Sequence, residues 1–365
     1  MTIQKIGIAG AGTMGTGIAI AAASNGCDVR LQDISEDQLK SAQHRIVTFL
    51  ARQVAKERMT EDQARDIADR IEVISELTVF AACDMVIEAI FEDFKTKATL
   101  FENLSELIRG DMPIATNTSC LTVGNLAKHV KTPERFIGMH FFSPAEINPI
   151  VEVVRGKDSH PAIVDLGLEF ARAIGKRPIL CKDSPGFALN RFFCPYTNEA
   201  VRALAEGLGT TAQIDHVAQE CFGAAAGPFQ VMNLIKPQIN LNAIRNLDRL
   251  GPFYAPVPEM VKLGDSGLDW EIGELDVPDA DQTKKIADML MGGTFLAVLQ
   301  CLDEQVASAE DIDFGAAHAL KFSKPPCAMM NDLGMMGVER LIRSNLHRYK
   351  LPTPGSLAMI GQLAA

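Results

Sequence analysis

Along the first half of the chain, short apolar runs alternate with longer stretches of helical periodicity. "KIGIAG" reads as a strand and "GTMGTGIAIAAASNG" as a helix closing on Asn25-Gly26. "DVRLQD" is a second strand, followed by a helix from about Ser35 to Arg58. "DMVIEAI", "PIATN" and "RFIGMHFF" are further strands, with the helix "KTKATLFENLSELI" between the first two. Such alternation predicts an α/β unit, a parallel sheet covered on both faces, reaching to about Lys182. From Gly186 the apolar spacing becomes mostly helical, and Pro185-Gly186 in "DSPGF" marks the join.

The helical half carries a weak internal repeat. Ile214-Asp215 and Met232-Asn233 recur as Ile312-Asp313 and Met330-Asn331, both at an offset of ~98 positions. Each copy has a long helix, a Ser- or Thr-led helix start and a proline-containing turn. That shared layout predicts a duplicated helical unit and divides the chain into 1–184, 185–285 and 286–365. The two copies are expected to pack on each other within the chain, with further dimerisation open.

One apolar stretch carries unexpected charge. "HFFSPAEINPIVEVV" reads as two short strands, yet holds His140 and Glu152. Either side chain would be costly to bury unpaired. Facing each other, they become a proton-transfer pair. Each residue alone has a plainer reading, His140 as a satisfied core histidine and Glu152 as an exposed strand position.

Gly10-Ala-Gly12-Thr-Met-Gly15 lies between the first strand and the first helix, the context a phosphate-binding glycine loop requires. Gly10 permits the turn, Gly12 lets a pyrophosphate approach, and Gly15 lets helix and strand pack closely. The first-turn amides, those of Thr13 and Met14 among them, then hold the anion. Asp33 ends the second strand about 18 positions beyond Gly15, where a carboxylate accepts from a ribose diol and repels a 2′-phosphate. NAD is therefore expected rather than NADP.

Composition narrows the partners. The chain has 365 residues, 47% hydrophobic and 22% charged, which suits two globular domains. Its net charge of −11 lacks the basic footprint of a nucleic-acid partner. No apolar run long enough for a membrane span and no secretory leader is read. Eight scattered cysteines without a CxxC fit reduced thiols in the cytoplasm and speak against structural zinc, so no metal is expected.

Taken together, "GAGTMGTGIA", "VIEAIFEDFKTK", "NTSCL", "GMHFFSPAEINPIVEVV" and "KDSPGFALNR" resemble the L-3-hydroxyacyl-CoA dehydrogenase family, in order and spacing, from about Ile3 to Ile235. The helical repeat resembles the paired C-terminal repeats of the multifunctional fatty-acid oxidation members. The resemblance implies a Rossmann-type NAD-binding domain followed by an all-α domain of two repeated helical units. It also implies NAD-dependent, reversible oxidation of an L-3-hydroxyacyl-CoA. His140 would be the general base or acid and Glu152 its orienting partner. Ser119 and Asn190 would be polar groups near the reacting hydroxyl, and Ser119, Glu92, Lys97 and Ser143 would lie by the cofactor. Ser119 and Asn190 have plainer readings as turn and helix-start residues, and Cys120 reads as packing.

Arg52, Lys56 and Arg58, placed on the helix after the second strand, could meet the phosphates of coenzyme A; a solvated helix face explains them equally. The chain departs from the family at Ser143, where asparagine is usual, and in "KLGDSGLDWEIGELD", where a glycine-rich aromatic segment is common. A free 3-hydroxy acid as substrate, or a non-catalytic NAD-binding role, are the other readings.

Overall fold

The structure, a computed structural model, describes residues 3–363. It forms two compact units, Met1–Asp183 and Ser184–Ala365. The first holds a sheet of β1 (Lys5–Ala9), β2 (Asp28–Gln32), β3 (Ile71–Ile74), β4 (Met85–Glu88), β5 (Ile114–Thr116), β6 (Phe136–Phe141), β7 (Ile150–Arg155) and β8 (Arg177–Lys182). Their order is β3-β2-β1-β4-β5-β6-β7-β8. Its helices are α1 (Thr13–Ser24), α2 (Glu36–Ala55), α3 (Glu61–Asp69), α4 (Phe94–Leu107), the short α5 (Val123–Leu126) and α6 (Pro161–Ala173).

Strands buried on both faces explain the near-continuous apolar runs. Ile6 and Ile8 of β1 join α1 residues in one core, while Gly7 between them lies against the Phe80 ring on the opposite face.

The expected parallel sheet holds from β3 to β6 and then changes. β7 runs antiparallel to β6, and β8 runs parallel to β7. Segment 142–149 contains no crossover helix, so the chain can only double back. Two further elements have weak sequence signals. α2 ends at Ala55 rather than near Arg58, and Thr60 then starts α3 with a reciprocal cap to Gln63. β3 follows with Ile71, Val73 and Ile74 only partly buried and Glu72 exposed, so its apolar pattern is faint.

The α-helices of the second unit are α7 (Leu189–Ala205), α8 (Thr211–Phe222), α9 (Pro228–Ile235), α10 (Pro237–Leu247), α11 (Pro258–Ser266), α12 (Ala280–Asp303), α13 (Ala309–His318) and α14 (Pro326–Tyr349). Thr210 caps α8 and Ser308 caps α13. Asp215 accepts the Phe229 and Gln230 amides at 2.7 and 3.1 Å, and Asp313 accepts those of Cys327 and Ala328 at 2.7 and 2.8 Å. Every member of the second set lies ~98 positions after its counterpart. Ala224 and Phe322, separated by that same offset, form an antiparallel bridge.

A boundary at 285/286 would cut through α12, which starts at Ala280 under an Asp279 cap, before its first buried apolar residue, Ile286. Among the described residues α12 alone is long and apolar enough to cross a membrane, with mean hydropathy 1.4 over its most apolar window. Two-thirds of that window is buried inside the unit, chiefly against α7 and α14, as in a core helix.

Candidate active site

β6 and β7 set His140 directly opposite Glu152. The imidazole Nδ1 lies 2.7 Å from Glu152 Oε2. Glu152 is fully buried and His140 is 6% exposed, so each partner offsets the other's desolvation. Strand alternation explains the placement: Met139, Phe141, Val151 and Val153 face the core shared with α1 and α6, and the dyad points the other way. Glu152 Oε1 also receives the Cys181 thiol of β8 at 3.7 Å.

A second cluster anchors the "NTSC" turn. Lys97 of α4 is 1% exposed and places its ammonium 2.6 Å from Glu88 Oε1 and 2.9 Å from Glu92 Oε2. Glu88 also accepts from the Thr116 hydroxyl and the Ile90 amide. Glu92 Oε1 accepts the Thr118 hydroxyl and the amides of Ser119 and Cys120, the latter two at 3.0 and 3.1 Å. Burial pushes the Glu88 carboxyl up, Lys97 notwithstanding. Burial acts the same way on Glu92 but is outweighed by Lys97 and Thr118, which hold it low. Lys97 stays protonated above its ordinary range because two carboxylates outweigh its own desolvation. Asn117 accepts the Phe141 amide at 2.8 Å, tying this turn to the strand that carries His140.

At the glycine loop, Gly10 has φ +109°, and a Cβ on Gly15 would stand 1.8 Å from the Gly10 carbonyl oxygen. A Cβ on Gly12 would meet nothing within 4 Å, leaving room for a ligand at the N-terminus of α1. Helix geometry gives the amides of Thr13, Met14 and Gly15 no carbonyl within α1. Asp33 Oδ2 accepts the Ala11 amide at 2.8 Å and Oδ1 the Ser35 amide at 3.0 Å. Each oxygen retains a second lone pair for a diol.

Residues 5–184 match the sequence profile described as "3-hydroxyacyl-CoA dehydrogenase, NAD binding domain", and residues 186–269 match the corresponding C-terminal domain. The chain belongs to the 3-hydroxyacyl-CoA dehydrogenase family. A 3-hydroxybutyryl-CoA dehydrogenase of Bradyrhizobium diazoefficiens is 35% identical over 267 residues, 73% of this chain and 91% of that protein. The crystal structure of (S)-3-hydroxybutyryl-CoA dehydrogenase from Ralstonia eutropha superposes with a TM-score of 0.71 at 32% identity, covering 73% of this chain and 95% of its own. An Escherichia coli structure titled 3-hydroxybutyryl-CoA dehydrogenase shares the fold over 100% of this chain and 99% of its own, with a TM-score of 0.89 at 24% identity.

As a member of the 3-hydroxyacyl-CoA dehydrogenases, the chain uses NAD to oxidise a 3-hydroxyacyl-CoA. The open face at Gly12, the first-turn amides of α1 and the Asp33 carboxylate fit that cofactor. Ser119 is half-buried in the turn braced by Glu92, and Ser143 is exposed after β6. Asn190 is half-buried as the second residue of α7, in the helical unit. Lys97 is 1% exposed, with its ammonium between the carboxylates of Glu88 and Glu92. Arg52 is exposed in the last turn of α2, while Lys56 and Arg58 lie exposed in the turn beyond it.

The sequence alone does not single out Glu88, Thr116 or Thr118, nor Lys176. Lys176 is buried and donates to the carbonyls of Ala145 and Asn148 at 2.7 and 2.8 Å, fastening the loop between the dyad's two strands. A Glu–Lys pair in "VIEAIFEDFKTK" is the signal that could have found Glu88.

Proposed function

We propose that the chain oxidises short L-3-hydroxyacyl-CoA thioesters, 3-hydroxybutyryl-CoA first among them, to the 3-oxoacyl-CoA, with His140 as general base. The facing pair on β6 and β7 carries this reading. Because Nδ1 meets a carboxylate, it is the nitrogen that carries the ring proton, and Nε2 is the one that takes the hydroxyl proton. Glu152 holds that tautomer and stabilises the imidazolium as it forms. NAD, when bound, would supply the acceptor for the hydride leaving the carbon that bears this hydroxyl. Gly10, Gly12, Thr13, Met14 and Gly15 would hold its pyrophosphate and Asp33 its adenosine ribose, with Glu92, Ser119 and Ser143 near the nicotinamide. Ser119 and Asn190 would bond the substrate oxygens.

The short acyl group is supported by the named activity of relatives matched over nine-tenths of their length. The matched bonding of Asp215 and Asp313 supports two copies of one helical unit that close on each other within the chain. Every cysteine but Cys221 is buried, which fits a cytoplasmic protein of reduced thiols.

The test is nicotinamide absorbance with 3-hydroxyacyl-CoAs of short, medium and long chain, dicarboxylic thioesters, and free 3-hydroxy acids. The highest kcat/KM should fall on the four-carbon thioester. Preference for a free acid would overturn the proposal.

A further inference from the structure

α7 follows Ala188, a residue whose own side chain cannot cap it, and Asn190 is its second residue. The next side chain ties this end to α12. Arg191 is 1% exposed; its Nη1 donates to Ser184 Oγ at 2.8 Å, its Nε to the Tyr254 hydroxyl at 3.0 Å, and its Nη2 pairs with Glu304. The Tyr254 hydroxyl donates in turn to Gln300 Oε1 at 2.8 Å. Gln300 lies in the last turn of α12 and Glu304 is its C-cap. The start of α7, in the first helical copy, is therefore gripped by the end of α12, in the second.

The grip has a counterpart. Glu206, the C-cap of α7, stands ~98 positions before Glu304. It pairs with Arg348 of α14 at 2.9 Å. Each copy's capping glutamate thus meets an arginine of the other copy. The two latches differ in their arginines: the glutamates are alike in exposure, Glu206 41% and Glu304 47%, but Arg348 is 39% exposed whereas Arg191 is 1% exposed and next in sequence to Asn190.

We propose that Glu304, acting through Arg191, is a positioning residue for Asn190, so that the second helical copy orients a substrate-binding side chain of the first. This rests on the assignment of Asn190 to the substrate. Without the Glu304 charge, Arg191 keeps only neutral partners around a buried guanidinium, and the first turn of α7 loses its charged tie to the end of α12.

The full chain carrying Glu304→Gln, Glu206→Gln or Asn190→Ala is assayed with NAD and 3-hydroxybutyryl-CoA, alongside thermal unfolding. Glu304→Gln should lower kcat/KM for the thioester by on the order of 10-fold or more, leaving KM for NAD unchanged. Glu206→Gln, which opens the matching latch, should stay within about twofold of the wild type. If Glu304→Gln fails to fold, Glu304→Asp takes its place, keeping the charge but shortening the reach, with the same direction expected. Equal losses in the two glutamate variants, or none in Glu304→Gln, would overturn the proposal. Wild-type activity in Asn190→Ala would refute the assignment of Asn190 itself, and the positioning role with it.

Discussion

The Ser119 amide donates to Glu92 at 3.0 Å, and Glu92 is in turn held by Lys97 at 2.9 Å. The turn that carries Ser119 is thereby fixed by one ammonium shared between two carboxylates. Only one of those carboxylates is fully buried, the Glu88 group at the end of β4.

Replacing Lys97 by Met should strip both carboxylates of their counter-charge. Breaking a buried pair from one side costs about 3–5 kcal/mol, so the thermal midpoint should fall by several degrees. Turnover should fall as well, because Glu92 no longer orders Ser119. Adding Glu88→Gln should restore part of the stability by removing the uncompensated charge. A double variant less stable than Lys97→Met alone would contradict the shared-charge account.

Asp33 braces Ala11 of the glycine loop, and the proposed function gives it the cofactor's ribose as well. Asp33→Ser should raise KM for NAD roughly 10-fold, the worth of one charge-assisted hydrogen bond. It should also narrow the preference over NADP, since a repelling carboxylate is gone. Steady-state kinetics with both cofactors checks this, and equal turnover with NADP in the unmodified protein would contradict it.

Burial pushes the Asp215 carboxyl up to about 6 against two backbone amides, and burial raises Asp313 in the same way. Between the unfolded value near 4 and the folded one, the native state holds a proton that the unfolded chain has released. The stability owed to Asp215 is therefore present at about pH 4 and lost as pH rises through about 6, and Asp313 acts in the same direction. Urea unfolding of the wild type, compared with Asp215→Asn/Asp313→Asn, should show the wild type losing ground by on the order of 2 kcal/mol from pH 4 to 7. A difference that grows in the wild type's favour with rising pH would count against the assignment.

Much of this was legible in the residues themselves. The glycine loop and Asp33 keep a register that neighbouring backbone geometry imposes. His140 and Glu152 stand out because charge inside two apolar strands demands a partner. The reversal at β7 follows from the short segment 142–149, a constraint of connection length that apolar patterning does not carry. The anchoring of Ser119 is hidden for another reason. Glu88 sits in a strand, Lys97 on a helix and Thr118 in a turn, and only the fold makes them neighbours. The Arg191–Glu304 grip is hidden likewise, because no local pattern joins positions so far apart in the chain.

The most direct test of the account is the turnover of His140→Gln with saturating NAD and 3-hydroxybutyryl-CoA. General acid–base help is worth ~10²–10⁴-fold, and kcat should fall by that order. NAD affinity should stay nearly unchanged, because the glycine loop and Asp33 are untouched. Near-normal turnover in His140→Gln would contradict the account.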